Sequence, residues 1–167
     1  GTTGAGVKPS PGTMFCAVSD NFRAYNLGKH RHTPEIEQEL SVLAGQDVAV
    51  SFNPHLLPIN RGILSTVYSE LQQSLDTEQA VAAYQEFYRN DPWVRVLPAD
   101  QLPEVRHVRG TMYCDIGLVA DPRTNRLVAV SVIDNLCRGA SGQAVANANL
   151  MLGLDEGAGL QLAPLMP

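Results

Sequence analysis

No run of about 18 apolar residues occurs anywhere in the 167-residue chain, which excludes an ordinary membrane-spanning helix. Charge is sparse and tilts negative, with 12 Lys and Arg against 17 Asp and Glu. That balance gives no electrostatic case for a nucleic-acid partner. The pairs and spacings of common metal sites, CxxC and HExxH, are missing, and so is the GxGxxG turn of dinucleotide folds. Internal repeats and low-complexity tracts are absent too. Cysteine is limited to three widely spaced residues. An odd, scattered set fits free thiols in a reducing compartment, so a cytoplasmic location is expected.

The most informative segment is Tyr25-Asn26-Leu27-Gly28-Lys29-His30-Arg31-His32-Thr33-Pro34-Glu35-Ile36. Two of the four histidines lie here, one on each side of Arg31, and a helix start follows at once. Thr33 suits an N-cap and Pro34 the first helical position, while Ile36, Leu40 and Leu43 recur at helical spacing before Gly45 stops the run. An imidazole just ahead of a helix N-terminus sits in positive partial charge, which disfavours its protonated form. Such a group exchanges protons near neutral pH. Lys29, Arg31 and free backbone N–H groups would hold an anionic substrate. A solvated basic turn is the competing reading. His30 and His32 offer two metal ligands but no recognisable third, so no metal is expected.

The remaining pattern predicts one domain over 1–167, with a loop over 1–12 and a Gly/Pro-rich tail over 155–167. Strands are expected at Thr13–Ser19, Val48–Phe52, Gly62–Leu71 and Val94–Leu97. A helix capped by Asp76 or Thr77 should present Ala80, Val81, Tyr84, Phe87 and Tyr88 on one face. Two β-branched runs, Met112–Ala120 and Leu127–Ile133, flank Asp121-Pro122-Arg123-Thr124-Asn125, the composition of a hairpin turn. Gly139-Ala140-Ser141-Gly142-Gln143 opens a last helix through about Leu152. The fold class is α+β: a mixed, largely antiparallel sheet covered by helices on one face.

Arg61 and Arg109 each precede a glycine, which lets the backbone approach a ligand closely and suits carboxylate or phosphate recognition. Either is equally explained by an arginine snorkelling at a sheet edge. Cys137 precedes a helix start beside Arg138, and both features lower a thiol pKa. A nucleophile served by His30 or His32 is one reading, but Cys137 lies far along the chain from both, and an inert thiol is the preferred reading for all three cysteines. Cys16 and Cys114 fall in strand patterns, where a small buried apolar residue is the usual explanation. His55 and His107 have no local constellation.

His30 to Gln38, Asn53-Pro54-His55-Leu56-Leu57-Pro58-Ile59-Asn60-Arg61-Gly62, His107-Val108-Arg109-Gly110, Val132-Ile133-Asp134-Asn135-Leu136 and Gly139 to Ala144 with Asn147 and Asn149 resemble the N-acetyl-gamma-glutamyl-phosphate reductase family. They occur in the family's order and match its C-terminal catalytic and dimerisation domain, shared with aspartate-semialdehyde dehydrogenases. Gly1-Thr2-Thr3-Gly4-Ala5-Gly6 is similar to the loop that follows the family's catalytic-cysteine region, with Thr3 replacing a serine. The resemblance implies a longer parent whose N-terminal half carries the dinucleotide fold and the nucleophilic cysteine, so the chain alone is expected to be inactive.

In that chemistry a thiolate attacks an acyl phosphate, and NADPH reduces the resulting thioester to the semialdehyde. By resemblance, His32 is the acid/base, with Tyr25 and His30 beside it. Arg109, then Arg61 and Thr3, would contact substrate, and Asn135 and Asn149 the NADP cofactor. The implied partners are an acyl-phosphate metabolite and further copies of the chain, as a dimer or tetramer. The alternatives are a stand-alone interaction module, or a reductase for a related aminoadipyl or aspartyl phosphate.

Overall fold

The computed structural model describes residues 1–165; the last two positions of the expected tail lie outside the described residues. Two compact units divide the chain, Gly1–Asn60 and Arg61–Pro167. Among the described residues no helix is long and apolar enough to cross a membrane.

In the first unit a short 3-10 turn, Thr2–Ala5, is tied to the unit's far end by Thr2 N–H donating to the Ile59 carbonyl at 2.8 Å. Helix α1 spans Phe15–Val18, where a strand was expected. A short apolar run carries no decisive period. Here it closes its own hydrogen bonds, Val18 N–H to the Met14 carbonyl and Ser19 N–H to that of Phe15. Strands β1 (Arg23–Ala24) and β2 (His55–Leu56) pair antiparallel.

Helix α2, Thr33–Ala44, ends as expected on Gly45 in the left-handed region, at φ 65°. It begins one residue early: His32 is the N-cap, and Thr33 lies inside the first turn. The expected strand at 48–52 does not form. Ser41 Oγ and Glu37 Oε1 on α2 accept the N–H groups of Val48 and Val50, at 2.9 and 3.0 Å. Backbone donors satisfied by helix side chains leave no ladder to build.

The second unit is a four-stranded sheet in the order β3-β6-β5-β4. Strands β3 (Ile63–Glu70), β5 (Cys114–Asp121) and β6 (Arg126–Ile133) pair antiparallel. Strand β4 (Val94–Val96) lies parallel to β5. The sheet is thus mixed and largely antiparallel, as expected. The β5–β6 turn is held by the Asp121 carboxylate, which accepts Arg123 N–H and the Thr124 hydroxyl. Asn125 then adopts φ 52°, which asparagine tolerates.

Helix α3, Thr77–Phe87, starts in a full capping box in which Asp76 and Gln79 bond each other's backbone N–H. It buries Ala80 and Val81 against Ile116, Leu118 and Leu127 on one face of the sheet. Phe87, assigned to that face by spacing, is instead exposed. A second core gathers Trp93, Met112, Cys137, Ala146 and Leu160.

The last helix is entered through a π turn, Cys137–Ser141, before α4 at Gly142–Met151. Gly142 is packed where a Cβ would lie 2.8 Å from Cys137 Sγ and 2.9 Å from its carbonyl. The backbone oxygen cannot swing aside. Gly142→Ala should destabilise the protein by about 1–3 kcal/mol through overpacking. A chemical-denaturation midpoint equal to that of the parent would refute this.

Candidate active site

The first unit assembles the residues that the sequence placed together. The His30 ring lies edge-on to three neighbours: Tyr25 at 5.6 Å, His32 at 5.0 Å and Phe52 at 5.1 Å between centroids. Its Nδ1 accepts the backbone N–H of His32 at 3.3 Å, which leaves the neutral ring's proton on Nε2. Partial burial, then the neighbouring His32 and Arg31 charges, hold the His30 pKa below the ordinary imidazole value. The loop turns through Asn26 and Gly28, both at positive φ, and closes with Thr33 N–H on the His30 carbonyl. A cavity of about 600 Å³ opens beside it, lined by Gly28, Thr33, Glu37, Val50, Phe52 and Asn53. Phe52 and Glu37 were not foreseen. Neither has a motif, since each acts only once residues 48–53 fold along α2.

His55 stacks on Phe22 at 5.3 Å, a structural placement. The Thr3 hydroxyl donates to the Asn60 carbonyl at 2.6 Å and lines a smaller cavity, about 300 Å³, with Lys8 and Ser10.

The second unit organises Arg61 and Asn135 around a carboxylate that sequence reasoning left without a role. Asp134, whose side chain is fully buried, accepts from Arg61 Nη2 at 2.9 Å and from Gly110 N–H at 2.6 Å. It also takes the N–H groups of Leu136 at 2.8 Å and Cys137 at 2.7 Å. Burial alone would raise its pKa. The three backbone donors and the guanidinium outweigh that, and the carboxylate sits below its usual range. Next door, Asn135 Oδ1 accepts Gly62 N–H at 2.7 Å.

Arg109 gives Nε and Nη2 to the Leu165 carbonyl, at 2.9 and 2.6 Å. Buried Asn149 donates to the carbonyls of Glu156 and Ala158, each at 3.0 Å, and so staples the loop after α4.

Cys137 and Cys114 do not behave as a nucleophile requires. Cys137 is buried, and burial together with the Asp134 charge raises its pKa, the opposite of what its place before a helix beside Arg138 suggested. Burial also raises Cys114. Cys16, expected inside a strand, is exposed on α1. Among the described residues no group of three or more His, Cys, Asp or Glu could hold a metal ion.

Residues 1–135 match the family described as semialdehyde dehydrogenase, dimerisation domain. Curated proteins named N-acetyl-gamma-glutamyl-phosphate reductase align along the whole chain. That of Desulfotalea psychrophila is 52% identical and that of Pelotomaculum thermopropionicum 54%. This chain covers 49% and 48% of those proteins, so it spans about half the length of the curated relatives it matches. Among solved structures, aspartate semialdehyde dehydrogenase II from Vibrio cholerae superposes with a TM-score of 0.65 at 18% identity, over 89% of this chain and 46% of that one. The Francisella tularensis aspartate semialdehyde dehydrogenase gives 0.63 at 18% identity, over 81% and 40%. At that identity the likeness is one of fold.

Proposed function

The chain belongs to the semialdehyde dehydrogenase dimerisation-domain family, and from that premise we propose that it is the C-terminal half of an NADP-dependent reductase. The substrate is N-acetyl-glutamyl phosphate and the product its semialdehyde, a step of arginine biosynthesis in the cytoplasm. The observation that carries the reading is the Tyr25–His30–His32 cluster beside a cavity at the start of α2. The choice of substrate is supported by the names of relatives more than half identical to this chain.

In this reading His32 accepts the proton of the attacking thiol and later returns one to the reduced carbonyl oxygen. His30 holds the His32 backbone through Nδ1, and Tyr25 packs against His30. Arg61, Arg109 and Thr3 bind the substrate's anionic groups and Asn135 faces the cofactor, whereas Asn149, expected there too, is buried with its amide protons given to the loop after α4 and supports the fold instead. Asn135 fits the cofactor-facing role, because its Nδ2 is buried without a partner among the described residues and can donate to a carboxamide oxygen. When bound, the nicotinamide supplies hydride.

The full-length protein carrying this chain should oxidise NADPH only when N-acetyl-glutamyl phosphate is present. Turnover with an aspartyl or aminoadipyl phosphate instead would reassign the substrate. The 167 residues alone should give no turnover, and measurable reduction by them would overturn the half-enzyme reading.

The second copy is proposed to seat on the sheet face opposite α3. By register, Leu64, Thr66 and Tyr68 of β3, Val128 and Val130 of β6 and Val119 of β5 share that face. Leu64 and Tyr68 are 53% and 66% exposed, a large apolar area for an uncovered sheet. Tyr68→Asp should weaken self-association about 30-fold, as loss of a central aromatic does. Sedimentation at micromolar protein should then shift toward monomer; an unchanged profile would move the interface elsewhere.

A further inference from the structure

Antiparallel pairing of β3 with β6 ends at Ile63 opposite Ile133. Beyond that rung the two chains stay joined by side chains. Asp134 binds Arg61, and Asn135 binds the N–H of Gly62. Asp134 Oδ1 also accepts the N–H two residues on, at Leu136, closing a turn whose central residue is Asn135. The backbone of Asn135 is therefore clamped between Asp134 and Leu136.

The clamp fixes polarity as well as position. The Gly62 N–H requires an oxygen opposite it, so the Asn135 carboxamide cannot flip without setting two donors face to face. Oδ1 is thereby consumed and Nδ2 turned away from Gly62. That Nδ2 is buried and has no partner among the described residues, and the same is true of Arg61 Nε. Buried donors are nearly always satisfied, so two orphans flanking one glycine need an acceptor, either an ordered water or the oxygen of a ligand.

We propose that Asp134 is a positioning residue that holds Arg61 Nε and Asn135 Nδ2 as a donor-only pair for a carboxylate or carbonyl oxygen of a bound ligand. The inference rests on the reductase reading. Two ligands carry such an oxygen: the substrate, in its carboxylate and acetamido groups, and the cofactor, in its nicotinamide carboxamide. A site without an acceptor admits either and disfavours an ammonium group.

The test uses the full-length protein. Asp134→Asn keeps the shape but removes the charge, and it offers one oxygen where four donors converge. The Michaelis constants for NADPH and for N-acetyl-glutamyl phosphate should be measured beside thermal unfolding. One of the two constants is expected to rise about tenfold, the worth of a lost hydrogen bond, with kcat changed far less. Asn135→Ala should raise the same constant, and the double variant should add nothing further. A rise for NADPH identifies the carboxamide, and a rise for the acyl phosphate identifies the substrate.

A lowered melting temperature with both constants within twofold of the parent would reduce Asp134 to a structural role and overturn the proposal. Asn135→Ala with unaltered constants would remove the ligand from this corner, whereas absent turnover in the parent would sink the reductase reading itself. Should Asp134→Asn not accumulate folded, the parent labelled with ¹⁵N-asparagine decides. A dispersed Asn135 side-chain NH₂ pair that shifts with one ligand supports the clamp, and a rotationally averaged pair unmoved by either overturns it.

Discussion

In the full-length protein, His32→Gln is expected to lower kcat for reduction of N-acetyl-glutamyl phosphate by about a hundredfold to ten-thousandfold, the range that a positioned acid/base contributes. The Michaelis constants should move little, since the ring acts on a proton in flight rather than on bound substrate. His32 is exposed, and its cap role is played by backbone, so the variant should fold with a stability within about 0.5 kcal/mol of the parent. Stopped assays with purified variant give the rate, and a fall of less than about tenfold would hand the acid/base role to another group.

The neighbouring ring adds a pH signature. The folded pKa of His30 lies below its unfolded value, so below about pH 6.5 the unfolded chain binds the extra proton first. Stability is unaffected by this group above that pH and declines as pH falls from there toward the folded value. Protonation of Nδ1 would also take away the acceptor for His32 N–H. His30→Gln, whose carbonyl can still accept, should flatten the acid limb of the stability curve and retain more activity than His30→Ala.

What sequence pattern reveals here follows the range of the interactions involved. The β5–β6 hairpin and α3 are legible because their causes are local: alternating apolar residues around Asp121 to Asn125, and a capping box spanning Asp76 to Gln79. The Tyr25–His30–His32 cluster is legible for the same reason, being closed within eight residues of chain. Residues 13–19 and 48–52 mislead because a short apolar run does not encode its partner. One folds on itself, and the other gives its N–H groups to Ser41 and Glu37. Asp134 is the clearest loss. It reaches Arg61 across 73 residues, and nothing in Ile133-Asp134-Asn135 announces that four donors will meet there. The inert reading of Cys137 holds, but not for a local reason: the burial and the Asp134 carboxylate that raise its pKa come about only in the fold.

Arg95→Met should cost about 3 kcal/mol of stability, the larger of the effects expected away from the histidines. Arg95 on β4 sits opposite Asp115 on β5 in the parallel register and grips both its oxygens, Nε to Oδ1 at 2.6 Å and Nη2 to Oδ2 at 2.8 Å. The guanidinium also lies 4.2 Å over the Tyr113 ring and donates to the His107 carbonyl. The carboxylate is 3% exposed while the arginine is 40% exposed, so the two partners differ in what they lose. Removing the arginine strands a buried charge, whereas a surface pair would lose at most about 1 kcal/mol.

The double variant Arg95→Met with Asp115→Leu separates charge from packing. With no buried anion left, it should recover most of the loss and unfold within about 1 kcal/mol of the parent. Urea midpoints for the four proteins of the cycle read this directly. If the double variant is as unstable as the sum of the two single ones, the pair is not coupled. The stability of this corner of the sheet would then come from the Tyr113 stack and the β4–β5 ladder instead.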